Sequence, residues 1–343
     1  MKAMILKKTC DLHENSLPLE LVELPNPVPT GTEILVKISC CGVCHTELDE
    51  IEGRTPPRYF PMILGHQVIG HVVELGHAAR KFKLGQRIGI AWIFSACGRC
   101  DFCERGMENL CREFEATGRD ARGGYAEFLC ADESFAYAIP EIFSDAEASP
   151  LLCAGAVGFR SLRLTNIHDG QTLALTGFGA SGHLVLKMTQ YLFPKTRILV
   201  FARNPLEQDF AKSLGAFWAG NFTSCPEKAD AIIDTTPAWM PVAASLLHLK
   251  PGGRLVINAI RKENADKAAL LEINYHDHIW MEKEIKSVAN ITRRDVEEFL
   301  QLAARIPIKP EIETYPLERA NEALLDLKHK HVKGAKVLLI GKY

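Results

Sequence analysis

At 343 residues the chain is longer than one hydrophobic core usually supports, so two domains of about 150 residues each are expected. Hydrophobic residues make up 47% and charged residues 24%, a globular mix that excludes a disordered or fibrous chain. Lys plus Arg (40) nearly balances Asp plus Glu (42), which gives no electrostatic footprint for nucleic acid or an anionic membrane.

Met1 to Leu6 is followed at once by Lys7, Lys8, Asp11 and Glu14, leaving no apolar stretch suited to a signal peptide or membrane span. The expectation is a cytoplasmic protein. Up to about residue 150, short apolar runs broken by Gly and Pro, such as 33–38, 68–73 and 87–90, predict β-rich structure. From about 155, aliphatic runs alternate with helical patterns, which predicts a parallel α/β sheet with strands at 173–176, 198–201, 231–234, 254–257 and 285–288. Helices are expected at 183–192 and 206–214, then near 294–304 and 317–327, before a closing strand at 336–340. The expected division is 1–154, 155–291 and 292–343.

Eleven cysteines in a chain of this size point to metal or catalysis rather than disulfides. Cys97, Cys100, Cys103 and Cys111 lie close enough for one loop to wrap four thiolates around a zinc ion, leaving no position for water. The alternative, four reduced thiols on a surface loop, is a chemical liability. Cys44, His66 and Cys153 are scattered, and spacing alone cannot join them; each taken singly reads as a small buried residue or a core histidine.

Gly177-Phe178-Gly179-Ala180-Ser181-Gly182 follows an apolar strand and precedes a helix, the context in which G-x-G-x-x-G binds a dinucleotide pyrophosphate. About 20 residues on, the acid that would bind the ribose 2′-hydroxyl of NAD is missing. Ala202 stands there, with Arg203 and Asn204 beside it. The absent carboxylate and present guanidinium favour NADP over NAD, without excluding NAD.

These motifs together resemble the zinc-containing medium-chain alcohol dehydrogenases along essentially the whole chain. The resemblance implies a Rossmann doubly wound sheet plus a β-rich GroES-like catalytic domain, to which 292–343 returns. It assigns a catalytic zinc to Cys44, His66 and Cys153 and a structural zinc to the four-cysteine loop. The fourth position of a Cys₂His zinc is open to an alcohol oxygen, whose proton then leaves near neutral pH. Residues 151–162 and 176–182 are most similar to bacterial members described as propanol-preferring.

By the same resemblance Thr46 takes the substrate proton, although it also suits a helix N-cap. His45 falls beside the pyrophosphate. Three neighbours depart from the family pattern. Glu47 replaces an aspartate that orients His66, and Gln67 replaces a glutamate, which leaves the metal's surroundings more positive. Asp49 stands where a histidine ends the proton relay; an exposed aspartate accepts protons poorly at neutral pH.

Trp92, Phe94, Phe114 and Trp280 would line the substrate pocket. His276, His278, His329 and His331 read as solvated or interface residues. The expected partner is a small alcohol or aldehyde, with the chain pairing into homodimers or homotetramers through a strand near 285–290. Two other readings stand beside this one: a polyol, aryl-alcohol or cinnamyl-type dehydrogenase, and a zinc-stabilised dinucleotide-binding protein without turnover.

Overall fold

A computed structural model describes residues 1–329 and 334–341, so His331 lies outside the described residues. The chain divides into two compact units, Met1–Cys153 with Ile291–Tyr343, and Ala154–Asn290.

The first unit is organised around the long strand Glu33–Val43. One edge of it pairs with Val68–Leu75; the other pairs with Phe128–Asp132 over the first half and Ala335–Leu339 over the last residues, all antiparallel. Ile34, Val36 and Ile38 are buried and share a core with Met4, Leu6, Ile63, Val68 and Ile88. Each such side chain contributes about 1.5–3 kcal/mol by leaving water. The C-terminal segment thus supplies a strand to a sheet begun three hundred residues earlier.

The second unit is the expected Rossmann sheet. Its six parallel strands lie in the order Trp218–Gly220, Arg197–Phe201, Thr172–Thr176, Ala229–Asp234, Leu249–Ile257, Glu284–Ser287. Chain order reverses between Thr172–Thr176 and Ala229–Asp234, the point where such sheets bind ligands at their carboxyl ends. Thr172–Thr176 is buried throughout, as parallel strands covered on both faces are.

Several elements differ from expectation. Strand Trp218–Gly220 is too short to carry a periodic signal. Helix Ala154–Thr165 holds Gly155 and Gly158, which depress helix propensity. A Cβ at Gly158 would come within 3.1 Å of Val185, so the small residue permits close packing on helix Ala180–Leu192. Near 317 a single turn, Leu317–Arg319, precedes the helix Ala320–His329. His278, expected to be solvated, is 8% exposed, and its Nδ1 accepts the Asn274 N–H at 3.1 Å.

Candidate active site

Three segments of the first unit meet at one point. Cys44 follows the strand Glu33–Val43 and caps the helix His45–Ile51: its Sγ accepts the Thr46 N–H at 3.3 Å, while its own N–H donates to Glu47 Oε2 at 2.8 Å. The N-cap is therefore Cys44 and not Thr46, which is the second residue of the helix and is partly exposed. His66 follows the short strand Met62–Ile63, and Cys153 ends the turn Ser149–Leu152. The ligand atoms of Cys44, His66 and Cys153 lie within 4.8 Å of one another, with Cys44 Sγ 3.6 Å from His66 Nε2.

That spacing suits a shared ion. Zinc bonds of about 2.3 Å to sulfur and about 2.0 Å to nitrogen, at a tetrahedral angle, hold the two ligand atoms about 3.5 Å apart. His66 Nδ1 lies 2.6 Å from Glu47 Oε1, and both side chains are fully buried. The longer Glu47 side chain therefore reaches the imidazole and turns Nε2 toward the two sulfurs. Burial pulls the His66 pKa down, but the charges of Glu47 and Cys44 outweigh it and hold it well above the usual histidine range. A hydrogen bond with Cys153, burial and the Glu47 charge raise the Cys44 thiol. Without a cation Cys44 and His66 thus hold their protons more tightly than usual, and metal binding would displace them.

Asp49 is not the exposed residue expected. It is 5% exposed, and Arg54 Nε donates to its Oδ1 at 2.6 Å. The tight turn after the helix, where Arg54 and Thr55 donate backbone N–H groups to the Asp49 carbonyl, folds the guanidinium back over the carboxylate. Gln67 is buried, with its side-chain oxygen against Gly42, where a Cβ would come within 2.2 Å. His45 is exposed at the first position of the helix.

Glu50 is the residue that sequence reasoning passed over. It is fully buried, and neither carboxylate oxygen has a hydrogen-bond partner among the described residues. Burial and the Glu47 charge hold its pKa well above the usual carboxylate range, against the pull of His66 and Arg119. Its position three residues after Glu47, on one helical face, was the available signal. Of the four aromatics, Trp92 and Phe114 pack with ring centroids 5.0 Å apart, and Arg119 lies over Trp92. Phe94 packs against the core of the same unit. Trp280 belongs to the other unit, 48% exposed and packed on Tyr275.

The sulfurs of Cys97, Cys100, Cys103 and Cys111 also lie within 4.8 Å of one another, and those of Cys97 and Cys103 are 3.9 Å apart. The Arg99 N–H stabilises the Cys97 thiolate and brings its pKa down to about 7, whereas burial pushes Cys103 up to about 12. Four sulfurs at this spacing fit a closed tetrahedral zinc. Between the third and fourth cysteines, Glu108 accepts both the backbone N–H and the Nε–H of Arg293, at 2.9 and 3.0 Å, tying the loop to the helix Arg293–Arg305.

In the second unit, Gly177 turns the chain at φ +80°, where a side chain is strained, and a Cβ there would meet Thr235 Oγ1 at 2.9 Å. Gly179 caps the helix Ala180–Leu192 and faces open space, so a pyrophosphate can approach the helix N-terminus. A Cβ at Gly182 would meet the Gly177 carbonyl at 2.9 Å. At the end of Arg197–Phe201, Ala202 is buried and its carbonyl accepts from Gln208 Nε2 at 2.7 Å. Asn204 Oδ1 accepts the Leu206 N–H and caps the helix Pro205–Ser213. Arg203 is exposed. None of residues 202–204 carries a carboxylate.

A four-cysteine cluster and a three-ligand cluster in the first unit, each able to hold a metal ion, together with a Rossmann sheet in the second, are the features of a zinc-binding dehydrogenase. Residues 30–141 match the family described as Alcohol dehydrogenase GroES-like domain, and 207–339 match Zinc-binding dehydrogenase. A probable alcohol dehydrogenase, AdhA, of Mycobacterium tuberculosis is 39% identical over 329 residues, spanning 94% of this chain and 93% of its own. An alcohol dehydrogenase of Geobacillus stearothermophilus is 32% identical over 341 residues, spanning 96% and 98%. Among solved structures, the CAD from Helicobacter pylori complexed with NADP(H) superposes with a TM-score of 0.84 at 21% identity, covering 98% of this chain and 97% of that one. The chain belongs to the zinc-containing alcohol dehydrogenase family. No helix among the described residues is long and apolar enough to cross a membrane.

Proposed function

We propose that this chain is a zinc-dependent alcohol dehydrogenase that interconverts small primary alcohols and aldehydes, with NADP as the favoured dinucleotide. The observation that carries this reading is the meeting of Cys44, His66 and Cys153 with Glu47 braced behind the imidazole. A zinc ion there would supply a Lewis acid for the alcohol oxygen through its open fourth position, and the dinucleotide would supply the hydride acceptor. Cys44 and Cys153 give two thiolates to balance the cation, and Glu47 keeps His66 in the tautomer that presents Nε2. Thr46, partly exposed at the start of its helix, offers a hydroxyl that passes a proton on while remaining neutral. Asp49, engaged by Arg54, is a poor terminus for that proton.

Cys97, Cys100, Cys103 and Cys111 would hold a second, structural zinc, giving two per chain. Gly177, Gly179 and Gly182 would cradle the pyrophosphate, and Arg203 with Ala202 would accommodate a 2′-phosphate. The finer resemblance to propanol-preferring forms favours a short aliphatic substrate, and the Trp92 and Phe114 rings suit an apolar one. All eleven cysteines are free, in keeping with a reducing, cytoplasmic setting. The edge strand Glu284–Ser287 is exposed at every position and would pair with a second copy. Metal content measured together with reduction of an aldehyde series, using NADPH and NADH in parallel, tests the reading. Two zinc ions and a kcat/KM at least about tenfold higher with NADPH are expected. A loaded protein that turns over no aldehyde or alcohol contradicts it.

A further inference from the structure

In the unit Ala154–Asn290 a lysine is almost wholly enclosed by protein. The Lys262 side chain is 7% exposed and follows the strand Leu249–Ile257. An ammonium carries three protons, and three acceptors meet this one. They are Oδ2 of Asp234, the Thr236 carbonyl at 2.7 Å and the Ala238 carbonyl at 3.0 Å.

Asp234 ends the adjacent strand and is itself fully buried. Its Oδ1 accepts the Thr236 hydroxyl at 2.8 Å and the Thr236 N–H at 3.3 Å. One lysine and one aspartate thus hold residues 235–238, which belong to no strand or helix, from both sides.

That segment borders the glycine turn. Thr235 donates its N–H and its hydroxyl to the Thr176 carbonyl, at 2.9 and 3.0 Å. Thr235 Oγ1 and Thr236 Cγ2 occupy the space that a Cβ on Gly177 would enter, at 2.9 and 3.1 Å. Across the switch point, Ala202 and Arg203 stand at the end of the strand on the adenosine side. Residues 235–238 and Lys262 stand beyond the ends of Ala229–Asp234 and Leu249–Ile257, in the half of a doubly wound sheet that takes the second mononucleotide. A buried ion pair is a poor source of stability compared with apolar residues of similar size. Its use here is geometric, since Lys262 fixes the Thr236 and Ala238 carbonyls on either side of Pro237, whose own carbonyl accepts the Glu263 N–H at 2.7 Å.

We propose that the Lys262–Asp234 pair is a positioning device for the nicotinamide half of the dinucleotide, holding residues 235–238 against the phosphate turn. This rests on the reading of the unit as a dinucleotide site. The test is the near-isosteric double variant Lys262→Met/Asp234→Asn, which leaves no buried charge unpaired. Dissociation constants are measured for NADPH against 2′,5′-ADP, and for NADH against AMP, with zinc content alongside. The expected result is binding of the whole dinucleotide weakened by about tenfold while the adenosine fragment changes by less than about twofold and zinc is retained.

Equal weakening of fragment and dinucleotide would mark a general structural role and overturn the proposal, as would no change in either. If the unaltered protein binds no dinucleotide or fragment, the dinucleotide reading itself falls. Thr236→Val removes only the hydroxyl bond to Asp234 and gives the same split at about threefold, should the double variant not fold.

Discussion

The two cysteine-containing clusters solve the problem of holding a cation in opposite ways. Four sulfurs between Cys97 and Cys111 come from one loop, so the loop that binds is the loop that folds. Cys44, His66 and Cys153 come from a helix start, a strand end and a turn, so the whole unit must fold before they meet. The first arrangement would fill a tetrahedron around an ion. The second offers three ligands and would leave one corner unfilled, and it depends on distant packing to do so.

The sharpest way to break this comparison is to remove one sulfur from each cluster. Cys44→Ala should leave one zinc per chain and lower alcohol turnover by about a thousandfold or more, since a Lewis acid supplies several kcal/mol. Cys100→Ala should also leave one zinc, lower Tm by about 5 °C or more, and spare turnover in the protein that remains folded. Metal analysis with melting curves and kinetics separates the two outcomes; a Cys100→Ala protein that is stable but inactive would reverse the roles.

Glu47→Gln sharpens the same contrast at smaller amplitude. It keeps the size of the side chain but removes the charge beside His66 Nδ1, and should weaken zinc at the open cluster by about 10–100-fold. Competition with a chromophoric chelator measures this, and the four-cysteine zinc should be unmoved.

How much of this was legible in the sequence follows from the same distinction. The cysteine loop and the glycine turn are local, and short spacing in a strand-turn-helix context is enough to see them. Cys44, His66 and Cys153 are joined by tertiary packing, and only family resemblance brought them together before the fold was known. Asp49 was misjudged because its exposure depends on Arg54, which reaches back from the turn that ends the helix. Lys262 and Asp234 are 28 residues apart, one in the loop after a strand and the other at the end of its neighbour, a relation without a periodic signature. Glu50 lay in plain sight, but burial is not written in residue type.

The smallest expected effect concerns that glutamate. Burial and the Glu47 charge make the folded state hold the Glu50 proton more tightly than the unfolded chain does. Unfolding therefore becomes easier as pH rises above 4.5, where an unfolded glutamate ionises. Gln has no proton to lose, so the stability of Glu50→Gln relative to the unaltered protein should increase between pH 5 and pH 8, as urea midpoints would report. A gap that stays constant would mean that Glu50 is compensated by another charge.

The bond from Glu108 to Arg293, 185 residues later in the chain, has a bearing on synthesis. Ribosomes add about 5–20 residues each second, so the anchor of the cysteine loop emerges about 10–40 s after the loop itself. Over that interval the intervening Rossmann unit, whose strands all lie between residues 172 and 287, emerges in full. The half of the molecule that is translated first is finished last, and its thiols wait for a helix that has yet to leave the tunnel.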